Sequence, residues 1–146
     1  MNETVLLYQQ CASWFYNQST MTPKRLIYFM YLLNAWSKAI YPELDLNLEF
    51  YTISNDISEK SLKHDYLAVY GNNTIPNDSV HNALNSELWL LKSVYITYSH
   101  LSDNELHDLI INDDAYQKAK LDKKYHHVIL DTNLENYYKF LYNKDK

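Results

Sequence analysis

Thr22-Pro23-Lys24-Arg25-Leu26-Ile27-Tyr28-Phe29-Met30-Tyr31-Leu32-Leu33-Asn34-Ala35-Trp36 is the stretch that decides the fold. Thr22 supplies a side-chain oxygen for the free amides of a first helical turn, and Pro23 suits the first helical position, where its missing donor costs nothing. Leu26, Ile27, Phe29, Met30, Leu33 and Trp36 recur at helical spacing, and Leu32 and Ala35 widen the stripe. An apolar face this broad must be covered on at least two sides. The segment therefore predicts the central rod of a helical domain, ending near Ile40 because Pro42 disfavours helical geometry at Tyr41.

The remaining elements follow from that rod. A first helix is expected from about Glu3 to Asn17, with Val5, Leu6, Cys11, Ala12, Trp14 and Phe15 on its apolar positions. Leu44, Leu46, Leu48 and Phe50 alternate with polar residues, a period of two that predicts a short half-buried strand. Ser54-Asn55-Asp56 reads as a turn. Ser58 precedes a helix through Leu62, Tyr66 and Val69, closed by Gly71, and a polar loop follows over 72–79. From Ser86, Leu88, Leu91, Val94, Tyr95 and Tyr98 line a helix face, with Trp89 and Leu90 beside it. Ser102-Asp103-Asn104-Glu105 has the spacing of a capping box, opening a short helix on Leu106, Leu109 and Ile110. Asp113 or Asp114 caps another through Tyr116 and Ala119. Leu134, Tyr138 and Leu141 mark a last helix over Asn133 to Tyr142, and Tyr125 to Leu130 is expected to pair as a strand with Leu46–Phe50.

The fold class is thus mainly α: one domain over 1–146, with five to seven helices and a minor two- or three-stranded sheet. A chain of 146 residues buries roughly 68–70% of its unfolded surface and needs no metal or disulfide staple. A single glycine excludes the glycine-rich loops that cradle phosphates. A net charge of −5 is not the electrostatic footprint of a nucleic-acid binder. Lys24-Arg25 and Lys123-Lys124 read as solvated helix ends. The lone Cys11 cannot form an internal disulfide and falls among apolar neighbours, which suits a reducing cytoplasm. No leader-like N-terminus and no run of about 18 apolar residues is present, so neither export nor a membrane span is expected.

Catalytic machinery is not visible. No G-x-S-x-G elbow occurs, and nothing near Cys11 in sequence would activate it. His100, Asp103 and His107 come closest to a metal site, but a helix starting at Ser102 leaves His100 outside it. His126-His127 would point to opposite faces of a strand. Asp113-Asp114 fits a helix cap better than an acid–base pair. Catalytic, cofactor and metal residues are therefore expected to be none. The fifteen tyrosines are more telling, because tyrosine is apolar at one end and wet at the other. Tyr28, Tyr31, Tyr51 and Tyr116, together with Tyr41 and Tyr137, are expected to form a partner-binding surface.

Two segments carry a family resemblance. Lys24, Leu26, Leu32, an aromatic-rich middle and Ala35-Trp36 resemble the K-L-x-K-L-L-Y-x-A-x-x-W helix of the Panacea, or SocA-like, domain. Val94, Tyr98, Leu101, Ser102, Glu105, Leu106, Leu109 and Ala119 stand at the places of that family's V-x-x-x-Y helix and its L-S-x-x-E-L-x-x-L segment. The likeness covers about residues 3–120, leaving 121–146 as an extension with a last helix. The chain departs from the pattern where the family's Thr-His becomes Ile110-Ile111 and its Pro-Trp becomes Ala115-Tyr116. No Gly-Pro falls near Ile53-Ser54-Asn55. Packing positions are kept while polar and rigid ones are replaced.

The resemblance implies a non-enzymatic antitoxin that neutralises a toxin by direct binding, in one branch of the family as a proteolytic adaptor. The alternatives are a phage or mobile-element protein that inhibits a host defence protein, and a small metal-dependent enzyme. The implied partner is a protein, not nucleic acid or membrane.

Overall fold

A computed structural model describes residues 7–66, 86–122 and 124–144. Among them are seven helices and a two-stranded antiparallel sheet: α1 (Leu7–Gln18), α2 (Pro23–Ile40), β1 (Tyr51–Ile53), β2 (Asp56–Ser58), α3 (Lys60–Asp65), α4 (Leu88–Tyr98), α5 (Asp103–Ile111), α6 (Asp114–Leu121) and α7 (Asp131–Lys144). The expected mainly helical class is the observed one.

The rod is α2. Thr22 accepts from the Arg25 amide, Pro23 opens the helix, and every residue from Leu26 to Ala35 is buried. A helix buried all round must be packed all round, and α2 meets α1, α3, α4, α5, α7 and β2, with α7 its most extensive partner. Ring-on-ring contacts fill the interior. Phe15 lies 5.4 Å from Phe29, Tyr31 lies 5.4 Å from Phe50, and Trp36 lies 5.0 Å from Tyr138. Buried side chains from all seven helices form one hydrophobic cluster.

Local signals in the second half act as their chemistry requires. Ser102 and Glu105 close a reciprocal capping box on α5, each accepting the other's backbone amide. Asp113, not Asp114, caps α6 by accepting from the Tyr116 amide. The last helix extends beyond the expected Asn133–Tyr142 at both ends.

Three expectations are corrected. Leu44 to Phe50 is not a strand, although its burial alternates much as expected: Leu44, Leu46 and Phe50 are buried, Leu48 is half-buried, and Asp45, Asn47 and Glu49 are exposed. Side chains take the donors a ladder would need. The Asn47 amide goes to Asp45 Oδ1 and the Glu49 amide to Glu59 Oε2, with Asn47 left-handed at φ 53°. The observed strand begins only where the expected one ended, at Tyr51, and turns at Ser54-Asn55, whose φ values of 48° and 60° suit a two-residue hairpin.

Secondly, Tyr125 to Leu130 forms no strand with Leu46–Phe50. It lies along the edge of β1 through one bridge, Tyr51 to Val128, flanked by Thr52 N–H to His127 O and Ile129 N–H to Phe50 O. His126 and His127 are both left-handed, which ends regular pairing there.

Thirdly, α3 is capped by Glu59 rather than Ser58, which belongs to β2. One Glu59 oxygen accepts from Leu62 N–H and the other from Glu49 N–H, so this buried carboxylate joins the helix to the preceding segment. The proposed start at Glu3, the end at Val69–Gly71 and the loop over 72–79 lie outside the described residues. Among the described residues no helix is long and apolar enough to cross a membrane.

Candidate functional site

The tyrosines expected on a partner surface are largely interior. Tyr28 and Tyr31 are 0% exposed and Tyr116 is 1% exposed, so these three are not offered to a partner. For Tyr28 and Tyr31 the reason is that carboxylates inside the fold accept from their hydroxyls. Tyr28 OH donates to both Asp56 carboxylate oxygens, at 2.9 and 3.0 Å. Tyr31 OH and Tyr138 OH both donate to Asp113 Oδ2, at 2.6 and 2.8 Å, while Asp113 Oδ1 accepts from the Tyr116 amide at 2.6 Å. Burial raises the Asp113 carboxyl above its ordinary range, against the pull of those three donors. This carboxylate joins α2, α6 and α7. Tyr51, in β1, Tyr41 and Tyr137 remain half-buried.

The residues weighed for metal binding are drawn apart. Asp103 receives Arg25 at 2.9 Å, and the same guanidinium donates to Ser99 O and lies over the Phe29 ring. His107 Nε2 donates to the backbone carbonyl of Asn55 at 2.7 Å, and His100 stays exposed before α5 begins. Among the described residues, no three His, Cys, Asp or Glu side chains are placed to hold a metal ion. Cys11 is fully buried, and burial pushes its thiol well above the ordinary value, with Glu87 adding to the effect. It is not a thiolate at neutral pH.

An apolar groove opens between the C-terminal half of α2, α4 and the end of α7. Its volume is about 370 Å³, and Trp36, Ile40, Trp89, Val94, Tyr98 and Tyr142 are among the residues that line it. Several of its polar groups are engaged by bonds within the chain. Ser93 Oγ donates to Trp89 O, Thr97 Oγ1 donates to Ser93 O, and Trp36 Nε1 donates to Tyr98 OH. The surface presented to the groove is mostly apolar.

Trp89 is 46% exposed and Tyr142 44%, both at the groove, while Ile96, seven residues beyond Trp89 on α4, is 73% exposed. Large apolar side chains left open side by side are the usual mark of a contact surface. The sequence placed Trp89 beside the buried face of its helix but attached no function to it. The spacing of Trp89, Ser93, Ile96 and Thr97 along the outward face was the available signal.

A second, polar face surrounds the hairpin tip. Lys120 Nζ donates to Asn55 Oδ1 at 2.7 Å, Lys24 pairs with Asp56 at 3.2 Å, and His127 Nδ1 donates to Ala119 O at 3.1 Å. His107 and Lys120, both on Asn55, fasten the β1–β2 turn to α5 and α6, Lys24 ties Asp56 to α2, and His127 holds the segment before α7 against α6.

The chain matches no family model, no characterised protein and no solved structure.

Proposed function

We propose that this chain is a non-enzymatic protein-binding module, an antitoxin that neutralises a partner toxin by direct contact, and that the groove between α2, α4 and α7 receives an apolar segment of that toxin. The observation that carries this reading is the groove itself: an open, mostly apolar recess, with Trp89 and Tyr142 half-exposed at it. Burying one leucine or phenylalanine side chain there contributes about 1.5–3 kcal/mol. Exposed tryptophan and tyrosine are the residue types that most often dominate interface energetics. The net charge of −5 favours a basic toxin, whose association it would accelerate in a salt-dependent way. The Panacea-like order of packing residues adds the class of partner.

The test is co-expression with the product of the adjoining reading frame. The expected result is relief of growth arrest and a complex that co-elutes on size exclusion. Trp89→Asp should abolish both while leaving the circular dichroism spectrum unchanged and lowering the melting temperature only by the loss of one edge-on contact with Tyr41, a shift that Tyr41→Ala reproduces without abolishing binding. A neighbour that is neither toxic nor bound, or a complex indifferent to Trp89→Asp, would refute the proposal.

A further inference from the structure

A recess of about 270 Å³ lies beside the hairpin tip, between the β1–β2 turn, α6 and the segment before α7. It shares no lining residue with the apolar groove. Its polar lining consists of Thr52, Ser54, Asn55, Tyr116, Lys120 and His127, none of which carries a carboxylate. The nearest acidic group is the Asp56 carboxylate, which follows Asn55 in the chain and is felt by Tyr116.

Two of these residues are chemically incomplete. Tyr116 is 1% exposed and its hydroxyl has no hydrogen-bond partner among the described residues, whereas the hydroxyls of Tyr28, Tyr31 and Tyr138 each have a carboxylate. A buried hydroxyl without a partner costs about 1–3 kcal/mol, so it calls for an explanation. The Lys120 ammonium is held by the amide oxygen of Asn55, and among the described residues it makes no ion pair. The nearby Asp56 carboxylate is already occupied by Lys24, Tyr28 and the Ile57 amide.

We infer that this recess binds a carboxylate, which replaces Asn55 Oδ1 as the partner of Lys120 and accepts a hydrogen bond from the Tyr116 hydroxyl. One cation balances one negative charge, so a carboxylate suits the site better than a dianionic phosphate. Exchanging an amide oxygen for an anion strengthens the contact to Lys120 and frees one of the bonds that fasten the hairpin tip. Because the Tyr116 hydroxyl is buried in the free chain, its bond to the carboxylate requires that the released tip shift to admit the ligand. The site operates independently of the groove and of the toxin.

The experiment is a nuclear magnetic resonance titration of the ¹⁵N-labelled chain with sodium acetate, against sodium chloride at matched ionic strength. Saturable shifts of the Ser54, Asn55 and Lys120 amides are expected with acetate alone, and Lys120→Met should remove them. Tyr116→Phe should weaken binding about tenfold, the value of one hydrogen bond to a charged group, while the melting temperature holds or rises because an orphan hydroxyl is gone. N-acetylglycine, which mimics a chain terminus, separates the sources: tighter binding than acetate assigns the carboxylate to a polypeptide, equal binding to a small acid. Identical shifts in chloride, or shifts that survive Lys120→Met, would overturn the inference. So would a Tyr116→Phe variant that melts lower and binds acetate unchanged.

Discussion

Trp36 Nε1 donates to the Tyr98 hydroxyl at 2.8 Å, so α2 and α4 meet in the groove wall through a polar contact between two aromatic side chains. The same indole packs edge-on against Tyr138 of α7. Trp36→Phe keeps most of the ring packing and leaves Tyr98 without its donor, a loss of about 1 kcal/mol. Trp36→Ala also opens a cavity among three helices and should cost about 3 kcal/mol. Urea unfolding of both, in a double-mutant cycle with Tyr98→Phe, separates the hydrogen bond from the packing.

Asp113 serves a helix cap and two phenols at once. Asp113→Ala should therefore cost about 3 kcal/mol, from the cap and the two hydroxyls left without an acceptor. Its carboxyl is raised in the folded chain, chiefly by burial. A raised carboxyl contributes stability that is complete below the unfolded-state value of about 4 and is lost as pH climbs through the folded-state value. Stability measured from pH 4 upward should fall less in Asp113→Asn than in the parent. An identical pH slope in the two would contradict this.

At alkaline pH the tyrosines take over. Burial, with Asp65 adding to it, pushes Tyr8 up to about 12, and burial holds Tyr31, Tyr98 and Tyr138 above their ordinary value. These groups stay protonated in the folded chain after their unfolded counterparts ionise. Their stabilising contribution is complete below about pH 10 and is lost as pH rises through the folded values. Phenolate absorbance should rise together with loss of helical circular dichroism, not ahead of it, for the buried set.

Arg25 and Lys24 are adjacent but unequal. Arg25 joins the start of α2 to Ser99 and Asp103, and it lies 5.3 Å over the Phe29 ring. Lys24 makes one ion pair from a largely exposed position. Arg25→Ala should cost about 1.5–3 kcal/mol and Lys24→Ala less than about 1 kcal/mol, read from denaturant midpoints. Equal effects would mean that the guanidinium contacts contribute nothing beyond surface charge.

What the sequence revealed was local. Thr22, Ser102 and Glu105 each accept from an amide three residues away, so their outcome is written beside them. The alternation of Leu44, Leu46 and Phe50 correctly told which side chains point inward, but burial does not say where backbone amides go. Asp45 and Glu59 decided that. The tyrosines were misplaced for a related reason. The acceptors for Tyr28 and Tyr31 lie 28 and 82 residues away along the chain, and no pattern near either ring announces them. Of the groove, the sequence held Trp89 and Trp36 but not the closeness of Tyr142, which depends on how α7 packs.

That packing has a bearing on how the molecule comes into being. The most heavily covered helix near the start of the chain finds its largest partner in the last one, with Leu134 and Tyr138 sealed against it. During synthesis, the oily flank of α2 stays bare until residues 131–144 have left the ribosome exit tunnel. A translation product cut short before that point leaves this flank open to proteases and chaperones, so cells should hold either the finished article or very little of it.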